Sequence, residues 1–147
     1  MRRYWIYRDK INEILTCPKL LERLNIKNNI VTFDALNTQK ETIEYIFNND
    51  GYYVAPIKGN HKTLYEELSD YFNDEEFFNK VKKENYIKTI EKRNGDAEIR
   101  EYGFTNDVEW IYNKSEWLGL KSVGFAKRTY KNFQDKTVSD IRFYISI

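Results

Sequence analysis

A chain of 147 residues is long enough for one domain with a packed core. Charged residues make up 32% of it, but the net charge is +1, so bulk charge selects no nucleic acid, acidic substrate or membrane surface, and only a local basic face stays open. The single cysteine, Cys17, excludes an internal disulfide, and no apolar run approaches the ~20 residues of a membrane span. The first residues are too few and too aromatic for a signal peptide, so a soluble, cytoplasmic protein is expected.

Residues 2–8 alternate loosely and read as a strand. A helix is expected over about 18–25, with Pro18 in its first turn and Leu20, Leu21 and Leu24 on one face. Lys27-Asn28-Asn29 makes a turn, and Ile30, Val31, Thr32 and Phe33 form a short buried strand at 30–34 that ends on Asp34. Thr38-Gln39-Lys40-Glu41 has the form of a capping box opening a helix over about 39–49, with Ile43, Ile46 and Phe47 at helical spacing. Asp50-Gly51 stops that helix, the glycine supplying left-handed geometry. Tyr52 to Ile57 is the next strand, and Pro56 places it at an edge or at its own end. Strand, helix and strand make a βαβ unit, which puts Asp34 at the carboxyl end of a strand, where open α/β sheets bind ligands.

Lys58 to Lys62 is a loop, and Thr63-Leu64-Tyr65-Glu66 is a second capping box before a helix with Leu64, Leu68, Tyr71 and Phe72 on one face. Asn73 to Glu84 reads as a helical or irregular connector anchored by Phe77, Phe78 and Val81. From Tyr86 the period changes to two: 87–92 and 98–104 flank Asn94-Gly95-Asp96, a signal for a type I′ hairpin. A short helical turn is expected around 107–112, with Trp110 and Trp117 packed. Residues 123–130 and 138–147 form a second hairpin whose last strand carries Ile141, Phe143, Ile145 and Ile147 on one face.

Phosphate loops, zinc spacings and nucleophile elbows are absent from the sequence. His61, the only histidine, reads as a solvated loop residue rather than a catalytic one, and Cys17 as a buried small hydrophobe. Asp70, Asp74, Glu75 and Glu76 lack calcium-loop spacing and read as a solvated face. Lys58, Lys62, Lys82 and Lys83 are either phosphate contacts or plain surface. Asp34 is either a ligand for a hard cation or a strand-end residue bonding the following loop.

A collinear series of segments resembles the H-repeat-associated group of DDE transposases from bacterial insertion sequences. It runs through Lys10 to Ile14, Pro18 to Leu21, Ile30 to Ala35 with Thr38-Gln39, Tyr53-Val54-Ala55 and Lys58-Gly59-Asn60. It continues with Arg100-Glu101-Tyr102, Trp117 to Ser122 and Arg142 to Ser146. The resemblance implies an α/β to α+β fold: a partial ribonuclease H-like core (βαβα) over 1–85, then a β-hairpin-rich insertion region of the same catalytic domain over 86–147. It also implies a site of two aspartates and one glutamate holding two divalent cations, magnesium or manganese, for attack on a DNA phosphodiester.

Asp34 matches the family's second aspartate and is the candidate catalytic and metal-binding residue. Lys58, Asn60 and Arg100 are the candidate DNA contacts. The other two carboxylates are expected upstream and downstream of these residues. On that reading the chain is a truncated transposase fragment, inactive alone and binding magnesium weakly or not at all. The alternative is a non-catalytic DNA- or transposase-binding module acting as an inhibitor. The hairpin departs from the family, reading Asn94-Gly95-Asp96 where relatives read His-Gly-Arg, so a basic turn is neutral to acidic here. The family's first strand would pair beside 30–34; without it an open sheet edge is expected there, inviting a homo-oligomer.

Overall fold

The computed structural model describes residues 3–5, 13–93 and 96–147. Strand β1 (Arg3–Trp5) precedes helix α1 (Glu13–Leu21), and β2 (Ile30–Thr32), α2 (Lys40–Asn48) and β3 (Tyr52–Ile57) follow. Two helices, α3 (Lys62–Asn73) and α4 (Glu75–Glu84), lead into β4 (Tyr86–Arg93), β5 (Asp96–Thr105), β6 (Ser122–Lys131) and β7 (Thr137–Ser146). All seven strands form one sheet in the order β1-β2-β3-β7-β6-β5-β4. The first three are mutually parallel, and the remaining pairings are antiparallel. The expected mixture of α/β and hairpin structure is therefore present. β7 pairs with both β3 and β6 and so joins the two patterns into one sheet.

Alternation within the strands decides where the core lies. Val31, Tyr53, Ala55 and Ile57 share a face with Val123, Phe125, Phe143 and Ile145 through the strand registers, and all eight are buried. Ile43 and Ile46 of α2 and the expected Leu64, Leu68, Tyr71 and Phe72 of α3 close over that face. Phe72 lies edge-on to Phe125 with ring centres 5.0 Å apart, and Val81 of α4 approaches Gly103, where an added Cβ would sit 2.9 Å from its methyl group. Cys17 is buried, as expected.

Several local expectations are corrected. Helix α1 begins earlier than expected and ends at Leu21, with Pro18 inside it. Proline forgoes one amide bond, but its carbonyl still accepts from Glu22 N at 3.0 Å, one turn from the helix end. Neither capping box forms. Gln39 and His61 occupy the N-cap positions without side-chain caps, and Thr63 lies inside α3. The left-handed residue after α2 is Asp50 (φ 54°), not Gly51. Gly51 N reaches back to Ile46 O at 2.9 Å and Asp50 N to Phe47 O at 3.2 Å, the paired bonds of a Schellman motif. Gly51 serves close packing, since a Cβ there would lie 2.9 Å from Ile46 Cγ2.

The connector is a regular helix capped by Asp74, whose carboxylate accepts from Glu76 N and Phe77 N. Residues 107–112 form turns rather than a helix, followed by a 3₁₀ turn at Lys114–Glu116. Trp117 is buried, and Trp110 stacks on Tyr71 at 4.4 Å. Pro56 lies one residue before the end of β3, which is an interior strand. The edge beside β2 is not open: β1 pairs there over three residues, while residues 2 and 6–8 of the expected strand lie outside the described residues. Strands β4 and β5 pair as the expected hairpin, and Asn94 and Gly95 of its turn lie outside the described residues. Among the described residues no helix is long and apolar enough to cross a membrane.

Candidate functional site

Because β2 and β3 are parallel, their carboxyl ends open on the same rim of the sheet. Asp34 stands there, two residues past β2, with extended backbone (φ −72°, ψ 157°) and an exposed side chain. It precedes a 3₁₀ turn, Ala35–Asn37, but its carboxylate does not cap that turn. The bland reading of a side chain spent on the following loop is therefore not what the structure shows.

The loop that carries Asp34 is held by the loop after β3. Asn60 Nδ2 donates to Ala35 O at 3.1 Å, and Thr38 Oγ1 donates to Pro56 O at 2.8 Å. Thr38 is fully buried, and this bond gives its hydroxyl the partner that a buried polar group needs. His61 Nε2 faces the carbonyl of Thr38, and its ring meets Trp117 edge-on at 4.9 Å. Lys40 pairs with Glu116 across the same corner. A cavity of about 220 Å³ opens beside these groups, lined among others by Lys40, Asn60, His61, Lys62, Glu67 and Trp117.

Two of these residues escaped the sequence reading. His61 is not a solvated loop residue but a clamp between Thr38 and Trp117, and Thr38 is a cross-loop tie rather than a cap. No spacing rule finds either one, because Pro56 lies 18 residues from Thr38 and Trp117 lies on a turn far from His61 in sequence.

The candidate DNA contacts divide. Lys58 immediately follows β3 on the rim and is exposed, with no ion-pair partner among the described residues. Asn60 is on the same rim, its amide committed to Ala35. Arg100 is not brought to them. It lies on β5, separated from β3 by β7 and β6, about 14 Å away in the sheet direction. There Glu98 bridges two guanidinium groups, accepting from Arg100 Nε at 2.6 Å and Arg128 Nη2 at 2.7 Å. Those hydrogen bonds, Arg128's first, hold the Glu98 carboxyl down at about 2. Arg128 also lies 4.4 Å over the Tyr130 ring, and Arg142 borders the same shallow hollow.

Asp70, Asp74, Glu75 and Glu76 are all exposed, as a solvated face requires. Among the described residues no group of three or more His, Cys, Asp or Glu side chains comes together to hold a metal ion.

Comparison with known proteins agrees with the resemblance drawn from the residues. The chain is 32% identical over 140 residues to a protein of Escherichia coli O157:H7 named "Putative transposase YncI", covering 93% of this chain and 35% of that one. It is 33% identical over 144 residues to the "H repeat-associated putative transposase YhhI" of Escherichia coli K12, covering 94% of this chain and 37% of the relative. With the "H repeat-associated putative transposase YbfD" of the same strain it shares 36% identity over 91 residues, covering 62% of this chain and 35% of the relative. The chain thus spans little more than a third of the length of these relatives. No protein-family model and no solved structure matches it.

Proposed function

We propose that the chain is part of the catalytic domain of an insertion-sequence transposase, ribonuclease H-like in its parallel half (1–85), with the antiparallel strands (86–147) as an insertion of the same domain. One observation carries the reading. In a chain similar to putative transposases along nearly all its length, Asp34, which the resemblance matches to the family's second aspartate, is exposed at the carboxyl rim of parallel strands, on a loop tied to β3 and the loop after it.

A hard divalent cation fits Asp34 as one oxygen ligand. When bound in an intact site, such cations activate the attacking oxygen and stabilise the leaving one. The described residues gather no set of three metal-ligating side chains, so they do not make up a two-cation site, and no chemical step is assigned to this chain alone. What these residues do is hold Asp34: Asn60 and Thr38 tie its loop to β3, and the His61–Trp117 contact keeps that tie in register. Lys58 faces the solvent on the same rim, as a phosphate contact must. Arg100, with Arg128 and Arg142, marks a second basic stretch that a longer duplex would reach.

The test is nicking of supercoiled DNA with magnesium or manganese, comparing the 147-residue chain with Asp34→Ala while following the shift of the same DNA on a native gel. Both proteins are expected to bind in a salt-sensitive way and neither to cut. Cutting by the parent alone would show that Asp34 has recruited other ligands and that the chain is an enzyme by itself. Cutting by both, or no shift with either, would sink the reading.

A further inference from the structure

On the face of the sheet turned away from α3 and α4, residues two apart along each strand stand in register rows. Phe104, Gly124 and Tyr144 make one row, Tyr102, Ala126 and Arg142 the next, and Arg100, Arg128 and Asp140 the one after. The rows follow one another at about 7 Å along the strands. Phe104 is 46% exposed and Tyr102 41%, and Arg142 is exposed. Gly124 and Ala126 put no bulk between these rings, and an apolar groove of about 650 Å³ opens there. The arginines line a second hollow of about 330 Å³, and the two hollows share Tyr102, Ala126 and Tyr144. We infer that this face binds single-stranded DNA, the aromatic rows stacking bases and the arginines holding the phosphates beside them. The site is separate from the Asp34 rim, and it rests on the reading above only in taking DNA as the polyanion.

Rings and charge together select the occupant. A lipid tail or an apolar peptide would fill the groove and leave the arginines unused, and a compact anion would leave the rings unused. An unpaired strand presents flat apolar faces joined by anions, whereas a duplex turns its base faces inward. The second hollow is cationic on balance, with Arg100, Arg128 and Arg142 set against Asp140 and against a Glu98 that the first two share. Arg100 spends its Nε and Arg128 one Nη2 on that carboxylate, which leaves most of each guanidinium's five N–H groups for phosphate. Arg142 has no ion pair among the described residues. Glu84 borders the apolar groove from the end of α4, across β5 and β6 from Arg142, and so lies off the line of the arginines.

The test is fluorescence anisotropy of a labelled oligothymidylate of about 16 nucleotides on the 147-residue chain, against an abasic strand and a duplex of the same length. The parent should bind the oligothymidylate at least about tenfold more tightly than either. Tyr102→Ala and Phe104→Ala should each weaken it about tenfold, the loss of one stacked base. Ile90→Ala, exposed on the opposite face, should leave it unchanged. Arg142→Ala should flatten the slope of log affinity against log salt by about 0.7, one phosphate contact. Circular dichroism checks the fold of each variant, and the abasic comparison needs no variant. A parent that binds no oligothymidylate, or that holds the abasic strand or the duplex as tightly, overturns the inference. So do aromatic or Arg142 variants that behave as the parent does. Failure here with the supercoiled-DNA shift intact strikes this site and spares the Asp34 reading, and base-dependent binding without that shift does the reverse.

Discussion

At the scale of single residues, the most telling feature is Glu98, whose two oxygens are divided between Arg128 and Arg100. Its carboxyl ionises at about 2 in the fold against an ordinary 4.5, so folding favours the charged form. The stability it contributes is fully present above pH 4.5 and is lost as the pH falls toward 2. Glu98→Gln should therefore lower stability at neutral pH and flatten its decline across that window, which urea unfolding at a series of pH values reads directly. The place of Asp34 at the end of a strand, by contrast, was legible from the sequence, because a carboxylate there needs only the local pattern to be seen. Thr38 and His61 were not. Their roles depend on Pro56 and Trp117, brought near by strand register and by a turn distant in sequence. No window along the chain contains that information.

At the scale of elements, the sequence was a sound guide wherever burial sets the period and a poor one wherever a side chain chooses between partners. The inward face of α3 and the clean alternation of β7 were legible because apolar spacing alone dictates them. Two capping boxes were misread and the cap at Asp74 went unread, because a hydroxyl or carboxylate can serve the local backbone, a distant one or neither, and only the fold decides. Thr38 took the distant carbonyl, Thr63 fell inside a helix, and Asp74 made the local bonds that start α4. Asp74 supplies the two amide bonds at the head of a short, highly charged helix whose only fully buried residue is Val81. Asp74→Ala should cost about 1 kcal/mol and Asp74→Asn much less, measured as a shift of the urea midpoint at unchanged slope.

At the scale of the whole molecule, the parallel and antiparallel halves share one core. Phe72 of α3 touches Phe125 of β6 and stacks toward Phe143 of β7 at 6.0 Å, and α2 meets Gly119 through the ring of Phe47. Leu68, Phe125 and Ile145 belong to one buried cluster. Unfolding should accordingly be a single transition, with near-ultraviolet and far-ultraviolet signals coinciding in denaturant; separated transitions would mean that 1–85 and 86–147 are independent units.

Strand β7 closes that core from about ninety residues further along: Val54 pairs with Ser146, so the inner flank of β3 finds its neighbour only after everything between has been synthesised. On the ribosome, the parallel half would wait with an unsatisfied strand edge while the two hairpins emerge, a long exposure for so apolar a segment. Pausing, early termination or a nick before residue 137 would thus cost more than the residues it removes. It would leave the nascent protein without the strand that makes its first half and its second half the same object.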